Sequence, residues 1–370
     1  MIEVKNLKKS YGSFKALHGI SFTVERGHVY GFLGPNGAGK STTMNIITGC
    51  LAASEGSVTI NGHDIYKEPI EAKKCIGYLP EQPPLYLDMK VTEYLEFVGR
   101  AKGLRGNELY AQIDEVIDLT DLSNVHNRLI KNLSKGYKQR VGIAQAMLGN
   151  PEVIILDEPT VGLDPIQIIE IRELIRSLSE HHTVILSSHI MQEISAVCDR
   201  IMIISGGRLV ASDTIEGLLD TYSTTVTLEI TAKASKEKIT SALSAIEGVT
   251  SLECTDTYEQ GVVLATLTYP VKCDIREQIW KKLSGEGIAV LSMVPHIMSL
   301  EDIFISLTTK ASEHTGDESE AAFDANAENE ADNATVSAEY EAEESDDSDA
   351  SDDNNDNDDN DGDDYKPLFS

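Results

Sequence analysis

The 370 residues carry a net charge of −30, but the excess sits mostly at one end. Residues 311–370 hold 23 acidic residues and one basic residue, Lys366, which leaves −8 on the first 310. Neither part shows a dense basic patch, so no nucleic-acid partner is expected, and the length suffices for two compact domains with ordinary cores.

Cys50, Cys75, Cys198, Cys254 and Cys273 are scattered with no C-x-x-C pair, as isolated reduced thiols of a cytosolic protein would be. The opening MIEVKNLKKSYG has no apolar stretch of the secretory-signal kind. No apolar run approaches the roughly 20 residues of a membrane helix, so work on a membrane requires another chain to cross it.

Residues 1–220 alternate short apolar runs with helical patterns, as an α/β domain does. The runs 29–33, 153–156, 183–186 and 201–204 are continuously apolar and rich in β-branched residues. That pattern predicts strands buried on both faces of a parallel sheet. A polar cluster follows three of them, and open parallel sheets bind ligands at the carboxyl ends of their strands.

After the first run comes GPNGAGKST, residues 34–42. Gly34, Pro35, Asn36, Gly37, Ala38, Gly39, Lys40, Ser41 and Thr42 have P-loop spacing between a predicted strand and a predicted helix. Such glycines let backbone N–H groups curl around phosphate oxygens; Lys40 is placed for the β/γ-phosphates and the Ser41 hydroxyl for magnesium. The helix N-terminus behind it is itself an anion site. This establishes a nucleotide but not which reaction.

Between residues 91 and 149 the apolar spacing becomes helical, with Val91, Tyr94, Leu95 and Val98, then Ile113, Val116 and Ile117, predicting a helical insert. Its last part contains LSKGYKQR, residues 133–140, where Ser134 stands as an N-cap whose hydroxyl and following N–H groups present a second phosphate-binding end. The second apolar run ends in Asp157-Glu158-Pro159, a Walker B form. Asp157 would hold magnesium opposite Ser41, and Glu158 would take a proton from attacking water. The third run ends in Ser187-Ser188-His189.

Together these motifs resemble the ATP-binding subunit of an ABC transporter over residues 1–220, with a helical subdomain at about 90–150. LSKGYKQR and DEPTVGLDPIQ (157–167) resemble the gliding-motility-type and related ABC-2 exporter ATPases. The resemblance implies that Tyr11 stacks on adenine and that residues 34–42 hold the phosphates of ATP. It gives Gln82 the place of the glutamine that couples to magnesium and to the membrane partner, and His189 that of the switch histidine. Ser134 and Gly136 would reach the nucleotide of a second subunit, so two ATP molecules would lie between head-to-tail subunits, identical or paralogous. A separate integral-membrane permease is implied, and with it a peripheral place on the cytoplasmic face of the cell membrane. Lys135 and Tyr137 depart from the common LSGGQ, a change that bears on turnover rate more than on binding. The alternative is a soluble ABC ATPase of translation or DNA repair; the tandem domains of the former and the coiled-coil insert of the latter are not found in this sequence.

Residues 221–310 read as strand 225–230, helix 236–247, strands 251–254 and 262–268, helix 275–284 and strand 288–293. That order suits a small ferredoxin-like α+β domain. MSLEDIFI, residues 298–305, resembles the end of many ABC-2-type ATPase subunits. Residues 311–370 are too polar to bury a core and are expected to be disordered. Within them Asn357, Asp359, Asp361 and Gly362 imitate the start of a calcium loop, but Leu368 stands where a bidentate glutamate is needed. The end, residues 365–370, regains apolar character and would suit a docking peptide.

Overall fold

A computed structural model describes residues 1–313 of the chain. The calcium-like loop, the apolar end and nearly all of the expected acidic tail lie outside the described residues. Strand β1 (Ile2–Tyr11) alternates apolar and polar residues at its start, and it pairs antiparallel with β2 (Phe14–Val24). Ile2 faces Val24 and Val4 faces Phe22, which puts their apolar sides together in one core. Tyr11 and Phe14 face each other at the hairpin tip, where both are about half exposed.

Next come β3 (Val29–Leu33), buried at every residue, and α1 (Lys40–Ile47). Strands β4 (Glu55–Ile60) and β5 (His63–Asp64) join the hairpin in a sheet of order β2-β1-β4-β5. Helix α2 (Pro69–Lys74) starts with proline, whose missing N–H costs nothing there, and leads into β6 (Ile76–Leu79).

The helical insert follows as α3 (Val91–Ala101), α4 (Gly106–Leu119) and α5 (Lys135–Met147). Val91, Tyr94 and Leu95 of α3 and Ile113, Val116 and Ile117 of α4 are buried in one shared core, as their 3.6-residue spacing requires. The C-terminus of α5 is finished by Lys102, whose Nζ donates to the carbonyls of Gln145, Ala146 and Leu148. Those carbonyls have no partner within the helix, and a cation at that end also suits the helix dipole.

The chain then builds the central sheet from β7 (Val153–Asp157), α6 (Pro165–Ser179), β8 (Thr183–Ser188), α7 (Met191–Val197), β9 (Arg200–Ser205) and β10 (Arg208–Thr214). Strand order is β10-β9-β3-β8-β7-β6, parallel except for β10 on its edge. The four apolar runs of the sequence are thus β3, β7, β8 and β9, all interior and all neighbours. Parallel register sets Leu33 beside Ser188 and Asp157 beside Ser187, so three loops leave the sheet at the same edge.

Helix α8 (Ile215–Tyr222) leads to β11 (Thr225–Lys233), α9 (Lys236–Ser244), β12 (Ser251–Asp256), β13 (Val262–Pro270), α10 (Arg276–Gly285) and β14 (Ala289–Ile297). These strands form a separate antiparallel sheet of order β12-β13-β11-β14 with its own core, in which Leu228, Ile230, Ile279 and Leu283 are fully buried. The chain then turns back. Helix α11 (Leu300–Glu313) packs Leu300, Phe304 and Leu307 on the core shared by the central sheet and the helical insert. Two hydrogen bonds fasten the return: Gln192 Nε2 to Glu301 Oε1 at 3.0 Å and Ser223 Oγ to the Met298 carbonyl at 3.2 Å.

Candidate functional site

The loop after β3 turns at Gly39, the N-cap of α1, with φ 103°. A Cβ there would lie 2.7 Å from Leu17 Cδ2 and 3.1 Å from the Ala16 carbonyl, so no side chain fits even if the strained backbone were tolerated. Helix α1 has no side-chain cap and no acidic residue in its first turn. Its leading N–H groups therefore face the loop with no acidic side chain of their own helix against the positive end of the dipole. Pro35, Asn36 and Gly37 form the exposed crest of the loop, Gly34 and Ala38 are buried at its two feet, and Ser41 and Thr42 are half-buried on α1.

Lys40 is only 6% exposed. Its Nζ donates to the Gly34 carbonyl at 3.0 Å and the Pro35 carbonyl at 3.4 Å, and it forms an ion pair with Glu158 Oε1 at 3.4 Å. The other oxygen, Glu158 Oε2, lies 2.9 Å from His189 Nδ1. Because a carboxylate can only accept, Nδ1 carries the proton in this bond. Glu158 is buried too, and a buried carboxylate is sustained only by such partners.

Glu158 also has φ 48°, a left-handed conformation that costs a non-glycine residue roughly 1–3 kcal/mol. Its N–H donates to the Ser187 carbonyl at 3.2 Å and to Ser187 Oγ at 3.0 Å, which holds the strained turn in place. Ser187 Oγ in turn donates to Asp157 Oδ1. One hydroxyl thus holds the Glu158 backbone and the Asp157 carboxylate together, while the Glu158 carboxylate goes to Lys40 and His189.

The structure therefore gathers Lys40, Asp157, Glu158 and His189 at one sheet edge, drawn from β3–α1, β7 and the end of β8. Among the described residues, no hydrogen bond or ion pair links Tyr11, Gln82, Ser134 or Gly136 to that cluster. Gln82 is exposed between β6 and α3. Tyr11 stands at the hairpin tip with Lys9 Nζ 4.9 Å from its ring centroid. Ser134 caps α5 by accepting the Tyr137 N–H at 3.3 Å. Gly136 is buried so tightly that a Cβ would strike the Gln167 amide of α6.

Sequence reasoning singled out neither the Ser187 hydroxyl nor the buried pair Thr160 and Glu193, whose side chains hydrogen-bond at 2.6 Å. Ser187 was visible only as part of a polar cluster before His189. Thr160 lies inside the DEPTVGLDPIQ stretch without a task assigned to it there, and for Glu193 a carboxylate four residues beyond His189 was the one available signal. A separate cavity of about 520 Å³, lined by Gln112, Met147, His181 and His182 among others, shares no residue with the cluster.

Comparison with known proteins adds a family. The ABC transporter family profile matches residues 17–161. The linearmycin resistance ATP-binding protein LnrL of Bacillus subtilis (strain 168) is 33% identical over 313 residues, which is 83% of this chain and 98% of that protein. The lantibiotic transport ATP-binding protein SrtF of Streptococcus pyogenes is 37% identical over 218 residues, 59% of this chain and 92% of that protein. Among solved structures, the dimeric bacterial ABC transporter cassette MJ0796 matches with a TM-score of 0.53 and 28% identity, over 58% of this chain and 98% of the cassette. The same cassette has also been solved as a dimer in a post-hydrolysis state bound to ADP and Pi.

Proposed function

The chain belongs to the ABC transporter family as an ATP-binding and ATP-hydrolysing subunit, and from that premise we propose that it powers an ABC-2-type exporter through a separate membrane permease. The observation that carries the catalytic part is the Glu158 carboxylate, held between the Lys40 ammonium and the His189 imidazole at the mouth of the P-loop.

In this reading the backbone of residues 34–42 and the Lys40 ammonium bind the phosphates of ATP, and Tyr11 at the open hairpin tip stacks on adenine. Glu158 orients water and takes its proton. His189 fixes the Glu158 carboxylate and steadies it as the proton arrives. Ser134 and Gly136 act on the nucleotide of a second subunit, in keeping with their having no hydrogen bond or ion pair to this chain's own cluster among the described residues. A dimeric cassette among the structural relatives supports the pairing of two such subunits.

Magnesium fits the donors present. Among the described residues, no group of three His, Cys, Asp or Glu side chains is placed to hold a metal by itself. That suits an ion that keeps its waters and takes only one or two protein oxygens beside substrate phosphates. The Ser41 hydroxyl and the Gln82 amide would contact it directly and Asp157 through water, and when bound it would neutralise charge on the β- and γ-phosphates.

No helix among the described residues is long and apolar enough to cross a membrane. Tyr86, Leu87, Phe97 and Tyr110 nevertheless lie about half exposed around the Gln82 loop and the helical insert, with Tyr86 and Phe97 ring centroids 5.3 Å apart. Such an apolar surface supports docking of the permease on this side, at the cytoplasmic face. Residues 225–297, by their β-α-β-β-α-β order and sheet order, read as a ferredoxin-like accessory domain. Export is supported by the resistance and transport names of the relatives.

The test is recovery of the Glu158→Gln chain from its native membranes in mild detergent with Mg-ATP. The substitution keeps the size of the side chain and removes its basicity, so the nucleotide-bound dimer should persist. Stoichiometric recovery of a polytopic membrane protein is expected. Recovery of ribosomes or nucleic acid would favour the soluble alternative, and a purely monomeric E158Q chain in ATP would count against the shared site.

A further inference from the structure

Glu193 lies on α7, four residues beyond His189, and is 4% exposed. One of its oxygens, Oε2, accepts hydrogen bonds from two hydroxyls on different segments: Thr160 Oγ1 at 2.6 Å and Ser188 Oγ at 2.8 Å. Ser188 Oγ also accepts the Ile190 N–H at 3.0 Å, so the same hydroxyl shapes the backbone on both sides of His189. Thr160 belongs to the tight turn after Glu158. The Val161 N–H bonds the Glu158 carbonyl at 3.2 Å, and the Leu163 N–H bonds the Thr160 carbonyl at 3.2 Å. Asp164 then caps α6.

Burying a carboxylate is costly, and packing alone would be served as well by an apolar side chain of similar volume. What the charge supplies here is a fixed point joining two loops. Charge-assisted bonds of this length are stronger than hydroxyl–hydroxyl contacts, which makes the junction stiff. Glu193 touches neither Lys40, Glu158 nor His189 through any hydrogen bond or ion pair among the described residues.

We propose that Glu193 is a positioning residue for ATP hydrolysis: its carboxylate clamps the turn after Glu158 to the segment carrying His189, and so keeps the imidazole within bonding distance of Glu158. The proposal rests on the ATPase reading above. It also makes the His189 loop and the turn leading to α6 one mechanical unit, so displacement of either is felt by the other.

The experiment compares ATPase rates of the full chain, with its membrane partner, for wild type, Glu193→Met and Glu193→Gln, each in the His189 and His189→Ala backgrounds. E193M fills similar space but offers no acceptor, and a misplacement of about 1 Å suffices for losses of up to about 100-fold. In the His189 background, kcat should fall at least about tenfold for E193M, with the KM for ATP changed less than about threefold. E193Q, which keeps an acceptor oxygen, should recover most of the rate. In the H189A background, E193M should cause no further loss, because nothing is left to position. Should E193M fail to fold, Thr160→Val with Ser188→Ala removes the donors from the other side and gives the same comparison. An unchanged kcat, or an equal loss with and without His189, would overturn the proposal alone. A wild-type chain that hydrolyses no ATP would remove the ATPase reading and the proposal with it.

Discussion

His189 Nδ1 sits 2.9 Å from Glu158 Oε2, although 31 residues separate the two in the chain. The contact exists because β7 and β8 are adjacent and parallel, with Asp157 in register with Ser187. Each strand then needs only one or two further residues to bring its side chain to the other.

That relationship makes His189→Ala informative. The alanine chain loses the donor that orients the Glu158 carboxylate but keeps Lys40 and the P-loop. Turnover should fall by about 100-fold, the lower end of what a proton-transfer arrangement contributes. Nucleotide affinity, read from quenching of a fluorescent ATP analogue, should change little. A turnover within twofold of wild type would show that the contact is not used in hydrolysis.

Gly162 offers a second test, of stability. It has φ 70°, and a Cβ on it would come within 2.2 Å of Lys135 Nζ and 3.3 Å of Lys135 Cε. Lys135 is the residue that departs from the common glycine of the signature, so this turn and that departure are in contact within one chain. Gly162→Ala should cost about 1–2 kcal/mol from backbone strain alone, plus whatever the lysine loses by moving. Adding Lys135→Ala should restore only the second share, measured by urea unfolding. Full restoration would mean that the backbone angle carries no strain.

The cysteines provide a third. Cys198 is buried beneath β3, and burial, reinforced by the nearby Asp199 carboxylate, pushes its thiol up from the ordinary range. Cys254 is buried in the small sheet, while Cys50 and Cys273 are exposed. Since the thiolate is the reactive form, maleimide at neutral pH should label Cys50 and Cys273 quickly. Cys198 and Cys254 should react only through opening of their respective cores. Labelling of Cys198 as fast as Cys50, followed by mass spectrometry, would contradict the packing of α7 on β3.

Much of this was legible from residue order. Runs buried on both faces must be nearly free of polar residues, so β3, β7, β8 and β9 stood out with ends close to those observed. Strands of the small sheet were found with the right order but cut short, as at 225–230 against Thr225–Lys233, because the next inward residue, Ala232, is buried but too small and weakly apolar to mark the alternation. The convergence of Lys40, Glu158 and His189 on one edge could be anticipated, since a parallel sheet aligns strand ends whatever their separation in the chain.

The remainder was decided by tertiary structure. The sequence singled out the side chains proposed for phosphate chemistry and the strand ends that carry them, because strand burial and loop chemistry are local properties written in residue type and spacing. It did not determine the left-handed turn at Glu158, the double role of the Ser187 hydroxyl, the seat of Lys135 on Gly162 or the Glu193 clamp. Each of these depends on which strand lies next to which and on which face a helix turns inward. Those are outcomes of packing many weak contacts at once, and no spacing along a single segment records them.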